Sequence, residues 1–483
     1  MKRFNITLGY ILVILASIAC KNEGLLYNGA YIIEDIHLID PVDGLKEHRS
    51  LVIKNNKIIE IFKTDEVEIS RKNKIYSGSG NYLIPGLWDA HIHFAYQTEL
   101  ADAMPDLFLA HGITSVRDTG GEFNFVNGFK QDALTHPDTK TRVKIAGPLI
   151  DGKFNVYDGS SPNFPPLSIQ NESVNQLQEQ VQSLVDKEVD FLKAYEMLSP
   201  KQFEVLADIA KANNLKLTGH VPLSMDVITA SNLGLSSMEH LRNVELSMSS
   251  DADALFQERQ RVLKNEKQIK GSALRTSLHQ KQRMQSVYNL DSTKIKEVVS
   301  VLSKNQTWQI PTLSLYKNFA LKKYKNPSYV PLLNLLPRVN KEQWNEQIQA
   351  IDTTLDQQIV DYTVWSKSMV GYMHKRGIPF MAGTDTPIGF LIPGYSLHQE
   401  LEELNLSGLS PLEVLQTATS NPAHYFNLQD SLGRIKKGYL ADLVVLTKNP
   451  LDTISNTKTI DAVIKNGKYL NRTYLDSLLI QED

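Results

Sequence analysis

From residue 26 to about 83, apolar and polar positions alternate over short runs broken by turn residues, the period of half-buried strands. The runs Ser50-Leu-Val-Ile-Lys54 and Lys57-Ile-Ile-Glu-Ile-Phe62 flank Asn55-Asn56, a good two-residue hairpin turn. The C-terminus repeats the style. Ala441-Asp-Leu-Val-Val-Leu446 reads as a strand, and Ala462-Val-Ile-Lys465 turns at Asn466-Gly467 into Lys468-Tyr-Leu470. Short strands need partners to bury their apolar faces, so the two ends are expected to form one discontinuous β-sandwich, residues 20–84 with 429–483.

Between these ends the period switches repeatedly from two to 3.6. Candidate strands fall at 84–91, 114–119, 143–149, 190–195, 216–221, 236–241, 307–313 and 379–385. Helical patterns separate several of them, such as the segment from Pro200 to Ala212, with Ser199 as N-cap and Asn213-Asn214 as the stop. Eight such units predict an α/β fold, a (β/α)8 TIM barrel over 85–428, whose chemistry sits at the C-terminal strand ends. Two helical insertions, about 247–303 and 318–375, follow the sixth and seventh strands and overhang that face. They can act as a lid or as contacts of a homo-oligomer, although individual residues there read as solvated decoration.

The 483 residues suffice for one large domain and a smaller one. A formal charge of −3 gives no electrostatic ground for a nucleic-acid partner. Lys2 and Arg3 precede an apolar stretch over 6–18 and a small Ala19, a secretory signal pattern over 1–19 that is shorter than the roughly 20 residues a membrane span needs. Cys20, the single cysteine, follows at once and resembles the lipidated cysteine of a bacterial lipoprotein, although Ser17 stands where such signals usually carry Leu. The expectation is an enzyme tethered by lipid on Cys20 to a bacterial cell-envelope membrane. Metal ligands must then come from His, carboxylate and Lys.

Those ligands recur at strand ends. His91 and His93 alternate along the first strand and so share a face; neutral imidazole is the commonest protein ligand for zinc and its neighbours. Lys193 lies on the fourth strand, His220 ends the fifth, His240 the sixth and Asp385 the eighth. The motifs Pro85-Gly-Leu-Trp-Asp-Ala-His-Ile-His93, Gly112-Ile-Thr-Ser-Val-Arg-Asp118, Asp190-Phe-Leu-Lys193, Gly219-His220, Glu239-His240 and Gly383-Thr-Asp385 resemble the amidohydrolase superfamily. Asn421-Pro422 and the stretch from Leu432 to Leu446 extend the resemblance over nearly all of the mature chain.

The resemblance implies two divalent metal ions, with zinc the default. His91, His93 and Asp385 would hold the more buried ion, His220 and His240 the second, and Lys193 would bridge them as a carbamate made with carbon dioxide. Chemistry supports the last step: a free ammonium has no lone pair and repels a dication, whereas a carbamate is a bidentate oxygen donor. Two metals sharing a water lower its pKa and supply hydroxide as nucleophile, and Asp385 is placed to shuttle the proton to the leaving nitrogen. The expected reaction is hydrolysis of an amide-type C–N bond in a small-molecule dipeptide or N-acyl amino acid, as in the prolidase and imidazolonepropionase-like members.

Arg117, as a carboxylate clamp, Tyr195, as a hydrogen-bond donor, and His398, just after the eighth strand, complete the candidate substrate contacts; the alternatives are that Arg117 and Asp118 form a structural ion pair beneath the site and that Tyr195 serves packing. His111 reads as a partly positive helix C-terminal residue, and His136, His279, His374 and His424 carry no assigned role. The alternatives are a cyclic-amide or imidazolone hydrolase, a mononuclear deaminase, and a non-catalytic surface-binding lipoprotein. The deaminase would usually have Glu three residues after the fifth-strand His, where this chain has Leu223.

Overall fold

The computed structural model describes residues 24–265 and 269–479; Cys20 and the signal assigned to 1–19 lie outside them. Seven barrel strands stand where the alternation and apolar runs place them: Leu87–Ile92, Ile113–Asp118, Arg142–Ile145, Phe191–Ala194, Lys216–Gly219, Leu235–Glu239 and Trp308–Ile310. All pair in parallel. The third is broken at Gly147-Pro148 and resumes as Leu149–Asp151, so one half pairs the second strand and the other half the fourth.

The eighth position differs from expectation. Residues 379–386 form no continuous strand but close the ring through isolated bridges, Gln309 to Phe380 and Ile92 to Thr386. Backbone bonds from Ala90 N to Ala382 O (2.9 Å) and from Asp385 N to His91 O (2.7 Å) complete the closure. Regular pairing stops here because the chain turns sharply: Asp385 has φ +69°, in the left-handed region that non-glycine residues avoid. A Cβ on Gly383 would lie 2.8 Å from His91 Cβ, so only glycine lets the eighth segment lie against the first strand.

The helix Pro200–Ala212 shows why its sequence folds as read. Ser199 and Gln202 form a reciprocal capping box, and Phe203, Leu206, Ala207 and Ala210 are buried at helical spacing. Each large apolar side chain so buried contributes about 1.5–3 kcal/mol.

Both chain ends join one eight-stranded sheet, in the order Lys468–Asn471, Ile460–Lys465, Leu443–Leu446, Tyr82–Pro85, Ala30–Asp40, Gly44–Lys54, Lys57–Lys63, with Lys74–Ser77 also pairing Ala30–Asp40. The sandwich expected from the ends takes the form of this single sheet curled around its own core, Ile33, Leu51, Leu443 and Ile464 among others. Its hairpin tip at Asn55 abuts Gly467 closely enough that a Cβ there would strike the Asn55 carbonyl. Arg434 closes the two ends by chelating Asp40 (2.6–3.2 Å).

The first insertion contains Ala252–Leu263 and Gly271–Tyr288, and the second Leu313–Leu321, Arg338–Ala350 and Gln357–His374. Gly271–Tyr288 buries Leu274, Leu278, His279 and Gln282, so it packs into the molecule rather than decorating its surface.

Candidate metal centre

The strand ends bring His91, His93 and Asp385 together, with one ligand atom from each lying within 4.8 Å of the others. His91 Nε2 and His93 Nε2 stand 3.1 and 3.2 Å from Asp385 Oδ1, and His240 Nε2 stands 3.6 Å from Oδ2. His220 joins through ring packing, 4.9 Å from His240 between centroids. All five side chains are buried.

The orientation of the rings is set from behind. His91 Nδ1 donates to Glu239 (2.5 Å), His220 Nδ1 to Glu196 (2.6 Å), and His93 Nδ1 to the Gly120 carbonyl (3.3 Å). His240 Nδ1 lies 2.7 Å from the Thr312 hydroxyl. Three of these partners only accept, so the proton sits on Nδ1 and the Nε2 lone pair faces inward, the arrangement typical of metal-ligating histidine. Burial pushes the His220 imidazole down to about 3 despite Glu196, and pushes His240 well below the usual range, so both rings are neutral.

With its Nδ1 turned to Glu239, His91 presents Nε2 to an Asp385 oxygen 3.1 Å away. His91 Nε2 is buried without a hydrogen bond, as is Lys193 Nζ. Burial alone would raise the Asp385 carboxyl, but the His240 and His91 rings against it hold it well below the usual carboxylate range. A cluster of inward lone pairs around an ionised carboxylate is a donor set that fits a borderline divalent cation. Lys193 is pushed down to about 8 by burial, with Glu239 opposing the shift and Arg117 adding to it; its nearest carboxylate oxygen, on Glu239, is 3.9 Å away.

Arg117 does not reach the substrate space. It is fully buried beneath the metal centre, with Nη2 on Glu239 (2.9 Å), Nη1 on Thr218 and Ser237 (3.3 Å each) and Nε on the Ala90 carbonyl (2.5 Å). The carboxylate-clamp expectation is thus corrected: the guanidinium is spent holding Glu239, which holds His91. His398 is also corrected. Its helix, Tyr395–Leu406, turns it away from the barrel mouth, and its ring bonds Thr457 (2.9 Å) and the His111 carbonyl (3.1 Å). His111 is half-buried, and desolvation pushes it down to about 4, hence neutral rather than partly positive, with Nδ1 donating to Leu107 O.

Tyr195 does line the cavity over the metal centre, its ring packed 4.5 Å from that of His220. Glu196, Arg242, Arg275 and His279 were not anticipated. Glu196 accepts from His220 and, at 2.7 Å, from His279 Nε2, while Arg275 Nε reaches it at 3.3 Å. Its position directly after the fourth strand was the one available signal. Nothing local marks Arg275 or His279, which stand on the inserted helix.

Residues 367–470 match the amidohydrolase family model, a stretch that carries Asp385 but none of the candidate histidine ligands nor Lys193. A crystal structure of a Xaa-Pro dipeptidase with bound methionine superposes on 92% of this chain and 100% of that one, with TM-score 0.65 and 17% identity. The chain has the amidohydrolase fold. In sequence it is similar to the dihydroorotase of Clostridioides difficile, 43% identical over 63 residues, which are 13% of this chain and 14% of that protein. It is also similar to the ochratoxinase of Aspergillus niger, 34% identical over 99 residues, 20% of each. These alignments span less than a quarter of either relative.

Proposed function

We propose that this amidohydrolase-fold chain is a metal-dependent hydrolase of amide-type carbon–nitrogen bonds, acting on a small dipeptide or N-acyl amino acid. The observation that carries the reading is the close approach of His91 Nε2 and Asp385 Oδ1 beside the unpartnered Lys193 amine. The likeness to a Xaa-Pro dipeptidase in fold and to an ochratoxinase in sequence supports the reaction class. His91, His93 and Asp385 would hold one divalent ion and His220 and His240 the other, with zinc suited to the imidazole and carboxylate donors. Such ions supply an activated water and polarise the carbonyl under attack.

The remaining steps fall to the chain's own groups. Lys193, partly neutral because burial lowers it to about 8, would attack carbon dioxide through its nitrogen lone pair and release one proton, giving a carbamate whose oxygens would be available to the metal ions. Asp385 Oδ takes the proton of the attacking water and returns it to the leaving nitrogen. Tyr195, against His220, offers a hydroxyl toward the developing oxyanion or a substrate carboxylate.

The test is metal analysis and turnover with a form beginning after Cys20, using dipeptides, N-acyl amino acids and cyclic ureides. About two equivalents of zinc, with turnover of the linear amides, is the expected result. Turnover of ureides alone would favour the second reading, a cyclic-amide hydrolase, which the likeness to a dihydroorotase supports. Two zinc ions without turnover of any of them would leave a binding lipoprotein. Against the deaminase stands Leu223, which packs against Leu274 and Leu278 where a carboxylate would be needed, although adenine deaminases are among the proteins similar in sequence.

Lipid on Cys20 would tether the enzyme to a bacterial envelope membrane. Among the described residues no helix is long and apolar enough to cross one. Metabolic labelling with a fatty acid, lost in Cys20→Ser, tests the anchor.

A further inference from the structure

A second cavity adjoins the metal centre, and two arginines belong to both. Arg242, just after the sixth barrel strand, and Arg275, on the inserted helix, line the cavity over Lys193 and Asp385 and also the outer one. The outer cavity is walled by Met284, Leu315, Tyr316, Phe319 and Tyr362, and its rim carries the exposed Gln280, Asp356 and Gln358. Its walls therefore come from the helices Gly271–Tyr288, Leu313–Leu321 and Gln357–His374 of the two insertions.

The charge on these arginines is not spent within the protein. Both meet Glu196 only through Nε, Arg275 at 3.3 Å and Arg242 at 3.8 Å, where Arg242 Nε makes no hydrogen bond. Among the described residues no acceptor takes the Nη groups of either, and both side chains keep partial exposure, 14% and 16%. Glu196 is already committed to His220 and His279 and is a single carboxylate between two guanidiniums. Arg117 shows the contrast, with every nitrogen engaged. Two guanidinium forks without acceptors, facing a cavity beside the reacting centre, are built for an external carboxylate taken in bidentate fashion.

We propose that Arg242 and Arg275 bind the free carboxylate of the substrate and that the insertion-walled cavity takes its bulky apolar or aromatic side chain. The enzyme then selects amides whose amino-acid part has a free carboxylate and a large side chain. This rests on the hydrolase reading above but assigns recognition to residues distinct from the metal ligands. Glu196 is a positioning residue, since it touches Arg275 on one side and His220 on the other.

The test compares kcat/KM for alanyl-phenylalanine and alanyl-alanine, and for each with its C-terminal carboxylate converted to the amide, in the zinc-loaded protein and in Arg242→Gln, Arg275→Met and Arg275→Lys. Binding of N-acetylphenylalanine and N-acetylphenylalanine amide is measured by calorimetry in parallel. The expected result is a preference for the free carboxylate of at least about 100-fold, as for a buried polar group left unpaired, and a preference for phenylalanine over alanine. Both arginine variants lose the carboxylate preference, chiefly through KM, and Arg275→Lys restores part of it while zinc content is unchanged. Equal effects of the substitutions on acid and amide substrates would overturn the proposal and leave the hydrolase reading standing. If no dipeptide turns over yet N-acetylphenylalanine binds in an arginine-dependent way, recognition stands and the hydrolase reading falls. The absence of both turnover and binding of the acid overturns the recognition proposal outright.

Discussion

Two buried glutamates each hold one histidine of the candidate metal centre, Glu239 the ring of His91 and Glu196 that of His220, and their surroundings differ in kind. Glu239 forms the floor. It accepts from His91, Arg117 and Thr218, all supplied by barrel strands, and every nitrogen of the Arg117 guanidinium is hydrogen-bonded within the protein. Glu196 forms the roof. It accepts from His220 below and from His279 and Arg275 on an inserted helix, and the guanidiniums around it keep donors to spare. Both carboxyls are held well below the usual range against the effect of burial, Glu239 chiefly by Arg117 and Lys193 and Glu196 chiefly by Arg275 and His279. A saturated pair serves to fix geometry. An unsaturated one serves to admit something.

That difference predicts where substitutions act. The largest effect belongs to the centre itself: Asp385→Asn should lower kcat on the order of 10³-fold while most of the bound zinc survives, read by steady-state kinetics and metal analysis on the same sample. If zinc and turnover disappear in parallel, Asp385 is a ligand without a proton-transfer role.

In the floor, Arg117→Met leaves the buried Glu239 without its closest cation, with only Lys193 at 3.9 Å opposing its charge, and should cost about 3–5 kcal/mol of unfolding free energy in urea titration. In the roof, Arg242→Gln should cost under about 1 kcal/mol, because its guanidinium is partly exposed and lacks a hydrogen bond to Glu196. Equal losses at the two sites would erase the distinction between floor and roof.

Glu196→Gln is the intermediate case. It keeps the shape but weakens the partner that orients His220, so zinc affinity should fall about 10- to 100-fold, measured by competition with a chelator. An unchanged affinity would show that His220 is held by packing against Tyr195 instead.

The seam between the two is read through pH: there Glu400 accepts from Leu313 N and Ser314 N next to Thr312, the partner of His240. Burial pushes the Glu400 carboxyl up from 4.5 to about 8, with those two backbone donors opposing. Between these values the folded chain keeps a proton that the unfolded chain has released. Its contribution is therefore fully present below pH 4.5 and declines as pH rises to about 8. Glu400→Gln should flatten that part of the stability profile, and an identical slope in both proteins would refute the assignment.

The barrel and the cluster of candidate ligands were legible because each rests on a local rule. Strand period, helix caps such as Ser199 with Gln202, and the confinement of chemistry to strand ends place His91, His93, Lys193, His220, His240 and Asp385 without any knowledge of long-range contacts. The eighth strand was legible as a segment but not as a shape, since the left-handed Asp385 depends on Gly383 lying against His91. Arg117 misled because a strand residue near the centre can point above or below it, and only the positions of Thr218, Ser237 and Glu239 decide which. Arg275 and His279 were invisible for the opposite reason. They stand 79 and 83 residues from Glu196 in the chain, on a helix whose own pattern records which face is buried but not what it is buried against. Sequence alone thus determined which side chains converge at the barrel mouth, because the barrel repeats the same geometry at every strand end. The roof over that centre was decided only by tertiary packing, because the docking of an inserted helix is set by partners distant in the sequence.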